Sequence, residues 1–327
     1  MKYLVTGGCG FIGSNFIHRI LEKHPTIQII NIDSMTTGSN PQNFKGFKNK
    51  NYSFVKGNIS NKTLMKKLIK KVDYVINFAA ESHVDRSILN SEKFLRSNVL
   101  GVHNILEILR EEKTRFLQIS TDEVYGESLK KPFLEKDELN PSNPYAATKA
   151  AAEMLIRSYV RTYGIEAKIT RCTNNFGPRQ YPEKIIPKTI ISAMKNQQIP
   201  IHGKGLAKRQ WIHVFDHCDA LEKIISKWPK SLIYNISGNF ETTTIDIVKK
   251  ILGKMQKPEN LITFVSDRPG QDRRYRINSN LIKKETGFIP KMNPKESLDK
   301  TINWYTKNKT WWETIPFKRI KNPTPWK

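Results

Sequence analysis

Short apolar runs and amphipathic stretches alternate along the first half of the chain. The apolar runs are rich in β-branched and aromatic residues and predict strands at Tyr3–Thr6, Ile27–Ile32, Tyr52–Val55, Tyr74–Asn77, Phe116–Ser120 and Ala167–Thr170. The stretches between them have helical periodicity and predict helices at Phe11–Glu22, Thr63–Lys70, Glu92–Arg110 and Tyr145–Tyr163. This alternation predicts right-handed crossovers and an α/β fold, a doubly wound parallel sheet.

The second half of the chain is less regular and contains several prolines. Helices are predicted at Thr243–Leu252 and Pro294–Tyr305, and a strand at Leu232–Ile236. We therefore expect a main domain over residues 1–174 with a later return around residues 210–236. Residues 175–327 are expected to form mainly a smaller C-terminal α/β region that binds the substrate.

Composition narrows the class of protein. The 327 residues are 38% hydrophobic, enough to bury a core. No apolar run reaches 18 residues, and the first apolar stretch is too short for a signal peptide, so we expect a cytoplasmic protein with no membrane partner. Three cysteines cannot form a disulfide framework. The net charge is +25, but the lysines are scattered, so no specific nucleic-acid partner is predicted.

A glycine-rich turn lies directly after the first predicted strand and opens the first helix. Gly7, Gly10 and Gly13 have the spacing of a dinucleotide-binding (Rossmann) turn, where glycine permits close approach of the backbone and the helix N-terminus binds the diphosphate. Asp33 lies twenty residues after Gly13, at the end of the second strand. A carboxylate there accepts hydrogen bonds from ribose hydroxyls and repels a 2′-phosphate, which favours NAD over NADP.

Tyr145 and Lys149 form a second candidate pair. They are four residues apart, on one face of a predicted helix that Asn143 caps. The pKa of a free tyrosine, about 10, is too high for a base at neutral pH. A nearby ammonium and a cationic nicotinamide are expected to lower it, which makes Tyr145 a candidate general base.

Two adjacent carboxyl groups follow the fifth predicted strand. Asp122 and Glu123 come directly after Thr121, at the sheet edge where open α/β sheets bind ligands. If one is protonated and the other ionised, the pair supplies a general acid and a general base. A solvated acidic loop is the alternative interpretation of this pair.

Together these motifs resemble the dTDP-glucose 4,6-dehydratases, a family of extended short-chain dehydrogenase/reductases. The resemblance runs nearly end to end, through Thr6–Gly13, Ala79–Ser87, Thr121–Gly126, Tyr145–Lys149, Asn174–Pro178, Pro182–Pro187 and Asp267–Tyr275. In this family Thr-Asp-Glu before Val-Tyr-Gly distinguishes the dehydratases from the sugar epimerases.

The resemblance implies a reaction and a role for each catalytic residue. Tyr145, with Lys149, is the implied base for the sugar 4-hydroxyl, and Thr121 bonds the 4-oxygen. After oxidation at C4, Glu123 removes the C5 proton and Asp122 protonates the departing C6 hydroxyl. Hydride then returns to C6, so bound NAD is regenerated and the product is a 4-keto-6-deoxy sugar. A homodimer through the helices Glu92–Arg110 and Tyr145–Tyr163 is also implied.

The resemblance and the charges also give a binding set for each ligand. The implied cofactor-binding residues are Gly7, Gly10, Phe11, Ile12, Gly13, Asp33, Asn58, Ile59, Ala79, Ala80, Ser97, Tyr145, Lys149 and Asn175. The diphosphate of a nucleotide-diphosphate-glucose is best bound by positively charged groups with two parallel donors, and the guanidinium of arginine provides these. The implied substrate-binding residues are Ser82, Thr121, Asn174, Lys184, Ile185, Pro200, His202, Arg209, Asn235, Arg268, Gln271 and Arg273, with Arg268 and Arg273 as alternatives for the diphosphate.

Several alternatives remain open in the sequence. Asn58 stands where the family usually has aspartate, and Gln271 stands where the bacterial pattern often has histidine. The segment Thr36–Ser39 also differs, so UDP-glucose is an alternative substrate, and a nucleotide-sugar 4-epimerase or decarboxylase is a less favoured activity. A non-catalytic NAD-binding protein with a nucleic-acid-binding surface would not need Asp122 and Glu123. The histidines lack metal-binding spacing with carboxylates, so no metal is predicted.

Overall fold

The computed structural model describes residues 1–315, and its main element is a seven-stranded parallel sheet. The strands are β1 (Lys2–Thr6), β2 (Gln28–Asp33), β3 (Tyr52–Lys56), β4 (Tyr74–Asn77), β5 (Arg115–Thr121), β6 (Ala167–Cys172) and β10 (Ile233–Ile236). Their order in the sheet is β10-β6-β5-β4-β1-β2-β3. All pairs are parallel, so the predicted doubly wound fold is confirmed.

Helices cover both faces of this sheet. They are α1 (Phe11–Lys23), α2 (Lys62–Ile69), α5 (Gly101–Leu109), α6 (Pro144–Tyr163) and α8 (Val214–Lys227). The short helices α3 (Val84–Leu89) and α4 (Glu92–Phe94) form a separate small cluster with Tyr145. Side chains of α1 and α8 pack in one core cluster, and side chains of α2, α5 and α6 pack in another. Both faces of the sheet are therefore buried, as a parallel sheet requires.

A smaller α/β region follows β6. Its strands are β7 (Asn174–Phe176), β8 (Ile199–His202), β9 (Lys208–His213), β11 (Phe240–Thr243), β12 (Ile262–Val265) and β13 (Arg274–Tyr275). Its helices are α7 (Ile185–Met194), α9 (Thr244–Lys254), α11 (Pro294–Lys307) and α12 (Lys309–Glu313). Helix α10 (Asn280–Thr286) packs instead beside α8 and β10, in the core of the main sheet. A separate apolar core joins α7, α9 and α11 and includes Trp311 and Trp312. The predicted substrate region extends to residue 327, and residues 316–327 lie outside the described part.

Strand β10 comes from the second half of the chain and pairs with β6 of the main sheet, in the segment where a return to this sheet was expected. One element departs from the expectation. The predicted helix Glu92–Arg110 is divided, because a π-helical turn over Leu95–Leu100 separates α4 from α5. Among residues 1–315, no helix has the length and apolar character needed to cross a membrane.

Candidate active site

A cleft of about 310 Å³ lies at the carboxyl edge of the seven-stranded sheet. Its walls are formed by residues that end or follow β1, β2, β4, β5 and β6, together with the first turns of α1 and α6. Every predicted cofactor-binding residue lines this cleft, as do the catalytic residues Thr121, Asp122 and Glu123. Open α/β sheets bind ligands at this edge, so the cleft is the candidate active site.

The glycine-rich turn leaves room for a diphosphate at the start of α1. Gly7 has φ +66°, and a Cβ added to it would lie 2.6 Å from the backbone nitrogen of Ala79. A Cβ on Gly13 would lie 2.7 Å from the carbonyl oxygen of Gly7. Helix α1 begins without a side-chain cap and without an acidic residue in its first turn. Its first N–H groups and its dipole therefore suit an anion, which is what the diphosphate of a dinucleotide supplies.

Asp33 is the last residue of β2, as predicted, and its carboxylate is held in place. It accepts hydrogen bonds from Cys9 N at 2.9 Å, Met35 N at 2.8 Å and Ser39 Oγ at 2.7 Å. A carboxylate has about four acceptor sites, so Asp33 can still accept a further hydrogen bond from a hydroxyl. These residues fit the adenosine half of a dinucleotide.

Helix α6 positions Tyr145 and Lys149. Asn143 caps the helix, since its Oδ1 accepts a hydrogen bond from Ala146 N at 2.9 Å. Tyr145 lies in the first turn, where its ring meets Phe94 edge to face with centroids 6.4 Å apart. Lys149 is buried, and its Nζ donates to the carbonyl oxygen of Ile119 at 2.5 Å. The predicted pair therefore stands beside the carboxyl end of β5.

The surroundings that the protein itself gives Tyr145 do not lower the pKa of its phenol. Burial raises the pKa of Tyr145 well above its usual value, and the charge of Glu123 raises it further. A hydrogen bond with the hydroxyl of Thr121 opposes this shift. The lysine is also affected, because burial lowers the pKa of Lys149 to about 8. Tyr145 therefore needs additional positive charge nearby to act as a base.

Asp122 and Glu123 form a short 3-10 turn at the end of β5. Thr121 begins this turn, and its Oγ1 accepts a hydrogen bond from Glu123 N at 3.3 Å. Asp122 is 3% exposed, and burial, followed by the charge of Glu123, raises its pKa well above the usual value. Glu123 accepts a hydrogen bond from Asn143 Nδ2 at 3.4 Å. The environment of Asp122 thus favours the protonated form, which suits a general acid.

The predicted substrate-binding residues divide into two groups. The first group lines the cleft and consists of Ser82, Thr121, Asn174, Lys184 and Ile185. The second group does not line the cleft and consists of Pro200, His202, Arg209, Asn235, Arg268, Gln271 and Arg273. The second group belongs to the smaller region and to β10, and the structure places its members at different distances from the site.

Arg209 and Asn235 are both buried, in different surroundings. Arg209 stacks on the ring of Tyr275 at 4.2 Å, and its charge reaches Asp122, where it lowers the pKa. Asn235 accepts a hydrogen bond from Tyr125 Oη at 2.9 Å and donates to the carbonyl oxygen of Phe133 at 3.0 Å. Arg209 is therefore close enough to affect the site, and Asn235 is occupied by contacts with its neighbours.

The structure distinguishes the two alternative arginines. Nε of Arg268 lies 2.6 Å from Oδ1 of Asp85, and the charge of Arg268 also reaches Lys184 in the cleft wall. The side chain of Arg273 is 82% exposed and pairs only distantly, at 3.9 Å, with Glu127. Arg268 thus lies outside the cleft lining but near the charged residue Lys184 of its wall, and Arg273 lies on the surface.

Sequence reasoning missed several residues of the site. Cys172, Gln180, Tyr181 and Trp211 line the cleft. None of them carries a local motif: Cys172 ends β6, Trp211 lies within β9, and Gln180 and Tyr181 lie in the loop after β7. Their positions depend on the arrangement of the second region over the sheet. Over residues 1–315, no group of three or more His, Cys, Asp or Glu side chains is arranged to hold a metal ion.

The fold and the site define a class of protein before any comparison. A doubly wound sheet, a glycine-rich turn and a helical Tyr-x-x-x-Lys pair at one cleft are the features of an extended short-chain dehydrogenase/reductase. The family profile described as GDP-mannose 4,6 dehydratase matches residues 4–301. This match covers most of the chain.

Individual relatives agree with this class. A dTDP-glucose 4,6-dehydratase of Streptomyces niveus is 39% identical over 321 residues, 96% of each chain. The low-salt glycan biosynthesis protein Agl12 of Haloferax volcanii is 42% identical over 93% of this chain and 98% of its own. The crystal structure of dTDP-glucose 4,6-dehydratase from Bacillus anthracis in complex with NAD has a TM-score of 0.90 and 40% identity, covering 96% and 99% of the two chains. The chain belongs to the dTDP-glucose 4,6-dehydratase family.

Proposed function

We propose that this protein is an NAD-dependent dehydratase that converts dTDP-glucose to dTDP-4-keto-6-deoxyglucose. The observation that carries the proposal is the meeting of Asp122 and Glu123 with Tyr145 and Lys149 in one cleft. The glycine-rich turn and Asp33 fit NAD at the other end of that cleft. When bound, NAD supplies the acceptor for hydride from C4, the donor for hydride to C6, and positive charge beside Tyr145.

The first role of the protein is to take a proton from the sugar 4-hydroxyl. Tyr145 is the base, and Thr121, which hydrogen-bonds to its phenol, also holds the 4-oxygen. Lys149 lies one helical turn further along α6 and adds positive charge to this end of the cleft. Since burial raises the pKa of Tyr145, these charges are what makes the phenolate accessible.

The second role is the elimination of water. A ketone at C4 makes the C5 proton acidic, and Glu123 accepts that proton. The bond from C6 to its hydroxyl breaks, and Asp122 gives the departing oxygen its proton, so that water leaves and a C5–C6 double bond forms. When C6 takes hydride back, Glu123 returns its proton to C5, which gives the 4-keto-6-deoxy sugar. The buried, protonated state of Asp122 suits this task, and general acid–base groups typically contribute about 10²- to 10⁴-fold each.

The nucleotide end of the substrate is assigned to the basic edge of the cleft. This edge is lined by Ser82, Asn174, Lys184 and Ile185. Arg268 and Arg209 lie outside the lining, but their charges act on Lys184 and Asp122. We place the diphosphate on Arg268, because a guanidinium offers two parallel donors. We propose that Pro200, His202 and Gln271 contact the nucleoside. Asn235 is buried and bonded to Tyr125 and Phe133, so its role is to support this wall from inside, and Arg273 is exposed on the surface.

An assay with two substrates tests the proposal. Purified protein is given dTDP-glucose and UDP-glucose side by side, and the products are followed by mass spectrometry. We expect loss of water from dTDP-glucose at the higher kcat/KM, because the relatives described above are named for that nucleotide. Preferred dehydration of UDP-glucose would contradict the nucleotide assignment. Epimerisation or decarboxylation of a nucleotide sugar without loss of water would contradict the dehydratase assignment.

The protein is further proposed to act as a homodimer in the cytoplasm. Leu95 and Leu100 in the π-helical turn and Met154 on α6 are exposed, and they lie on the two helical segments expected to form the interface. Light scattering of the wild type should give twice the chain mass. The Leu100→Lys variant should give a lower mass, because a charge at the interface weakens the dimer. Leu129→Lys, at another exposed leucine, is the control that leaves the mass unchanged. A monomeric wild type would contradict the dimer. The cytoplasm agrees with three free, buried cysteines.

A further inference from the structure

A buried ion pair lies beside the catalytic helix. The side chains of Glu153 on α6 and Arg171 on β6 are 0% and 1% exposed. Arg171 donates to Glu153 Oε2 from Nε at 2.9 Å and from a terminal nitrogen at 2.5 Å. A buried pair of this kind is weak evidence for stability, because desolvation offsets much of the attraction. Its position relative to the active site is the informative feature.

Glu153 continues the face of α6 that carries the catalytic pair. Tyr145, Lys149 and Glu153 are spaced at four-residue intervals, so they share one side of the helix. Lys149 donates to the carbonyl oxygen of Ile119 at 2.5 Å, and Glu153 accepts a hydrogen bond from Ser120 Oγ at 2.5 Å. Consecutive residues of β5 thus anchor the two side chains, directly before the catalytic turn.

The charge on Lys149 depends on Glu153. Burial lowers the pKa of Lys149 to about 8, and Glu153 is the main charge that opposes this shift. The titratable or charged groups around this part of the site are Tyr145 and Glu153 on α6, Arg171 and Cys172 on β6, and Asp122 after β5. Burial raises the pKa of Cys172 to about 12, so its thiol stays neutral at physiological pH. Glu153 thus acts on Lys149 from one helical turn further along the same face of α6, while its own ion pair is with Arg171.

Arg171 fixes the carboxylate of Glu153. Besides its contacts with Glu153, its guanidinium donates to Tyr125 Oη at 2.5 Å and lies 4.5 Å from the centre of that ring. These contacts hold the carboxylate in one orientation. We propose that Glu153, clamped by Arg171, is a positioning residue of the reaction, which holds Lys149 charged and in place against the end of β5. This inference rests on the proposed function, in which Lys149 assists Tyr145.

The first test needs no substrate. Protein labelled with [ε-¹³C]lysine is titrated by NMR, and the Lys149 signal is assigned by its loss in Lys149→Met. We expect a wild-type midpoint near 8. Glu153→Gln should lower that midpoint by about one pH unit or more, since an opposite charge at close range is lost. Glu153→Asp, which keeps the charge, should stay closer to wild type than Glu153→Gln. An unchanged midpoint in Glu153→Gln overturns the proposal.

The second test separates positioning from stability through the pH profile of turnover. Because the active form needs a charged Lys149, activity should fall as Lys149 loses its proton, and Glu153→Gln should move this alkaline limb to lower pH. The double variant Glu153→Leu with Arg171→Met removes the pair without leaving a lone buried charge, and its thermal unfolding reports the fold. If the double variant folds, its activity should still fall at a lower pH than that of the wild type, as expected for Glu153→Gln. A wild-type limb in that variant would mean a structural role only and would overturn the proposal.

The two tests also separate this inference from the function on which it rests. If the wild type dehydrates no nucleotide sugar, the proposed function fails. The NMR midpoints still decide whether Glu153 controls the charge of Lys149.

Discussion

Asp122 and Glu123 are neighbours in the chain but meet different surroundings. Asp122 turns into the protein, and its Oδ2 has no hydrogen-bond partner within residues 1–315. Glu123 is only partly buried and is held by Asn143 at 3.4 Å. One backbone turn thus places two carboxyl groups with different burial and hydrogen bonding on the same cleft, which agrees with the general acid and general base proposed for them.

This division of roles predicts different failures in two amide variants. Glu123→Gln keeps the shape of the side chain but removes the base for the C5 proton. This variant should still form the 4-keto-glucose nucleotide at the active site. Its rate of exchange of the C5 hydrogen for solvent deuterium should be about 10²-fold or more below the wild-type rate. Asp122→Asn should retain that exchange and be slow in loss of water. Mass spectrometry of quenched reactions in D₂O measures both.

Tyr145→Phe is the control for the order of steps. It lacks the base for the 4-hydroxyl, so it should form neither the 4-keto intermediate nor exchanged substrate. If Glu123→Gln made the 6-deoxy product at the wild-type rate, the role given to Glu123 would be wrong.

The buried carboxyl of Asp122 also predicts a stability effect. The pKa of Asp122 is higher in the folded protein than in the unfolded chain. At pH values above the usual aspartate pKa, the unfolded chain therefore loses the Asp122 proton while the folded protein keeps it. This favours unfolding increasingly as pH rises towards the folded-state pKa. Asp122→Asn removes this effect and should raise Tm at pH 7, by about 2 °C or more. The gain should shrink below about pH 4.

Thermal unfolding at several pH values checks this prediction. Glu127→Gln, at a partly exposed carboxylate outside the cleft, is the control and should show no comparable gain at pH 7. A lower Tm for Asp122→Asn at pH 7 would contradict the inference that the ionised form of Asp122 is costly in the folded protein.

Local signals account for what the sequence predicts well. Asp33 follows from its distance to the glycine turn, and the cap at Asn143 follows from the residues around Pro144. The π-helical turn over Leu95–Leu100 has no compositional signature, so the helix Glu92–Arg110 was expected to be regular. The pKa of Tyr145 also depends on burial, which no local pattern reports.

Long-range packing decides the remaining residues of the site. Arg268 and Arg273 are five residues apart in one motif, yet only Arg268 meets the buried Asp85. Glu153 shares the periodicity of Tyr145 and Lys149, but its partner Arg171 lies on another element. The sequence identifies the residue types, and the tertiary arrangement selects which of them reach the cleft.

The glycine turn gives a prediction about bound cofactor. Since the proposed reaction returns its hydride, freshly purified wild-type protein should carry bound cofactor. Because Asp33 repels a 2′-phosphate, denaturing the protein should release NAD rather than NADP. Gly13→Ala should reduce the bound NAD at least about tenfold, because the new Cβ would lie 2.7 Å from the backbone oxygen of Gly7. Gly253→Ala in α9 is the matched control, since its Cβ would meet nothing within 4 Å. Chromatography of the released nucleotides measures both, and NADP in the wild type would contradict the assignment of Asp33.

The net charge of +25 predicts only a weak interaction with nucleic acid. The lysines are dispersed, so binding to duplex DNA should be independent of sequence and fall steeply as salt is raised. Fluorescence anisotropy with two unrelated duplexes, at low and physiological salt, measures this. Tight binding to one duplex at physiological salt would show a nucleic-acid function that the dehydratase proposal does not include.

The two arginines of the Asp267–Tyr275 motif provide a prediction about the substrate diphosphate. Arg268→Gln should raise KM for dTDP-glucose about tenfold or more, since a hydrogen bond to a charged group contributes about 1.5–3 kcal/mol. Its kcat should change far less, because Arg268 is not among the acid–base groups. Arg273→Gln should change KM by no more than about twofold, because its side chain is 82% exposed.

Loss of Arg268 also leaves Asp85 without its ion-pair partner, so a fold effect has to be separated from a binding effect. Arg268→Lys keeps a positive charge for Asp85 but loses the bidentate fork. It should unfold near the wild-type temperature and still have a raised KM. Steady-state kinetics and thermal unfolding on the same preparations give both values. A larger KM effect in Arg273→Gln than in Arg268→Gln would move the diphosphate to Arg273, and would require the loop that carries both residues to rearrange when substrate binds.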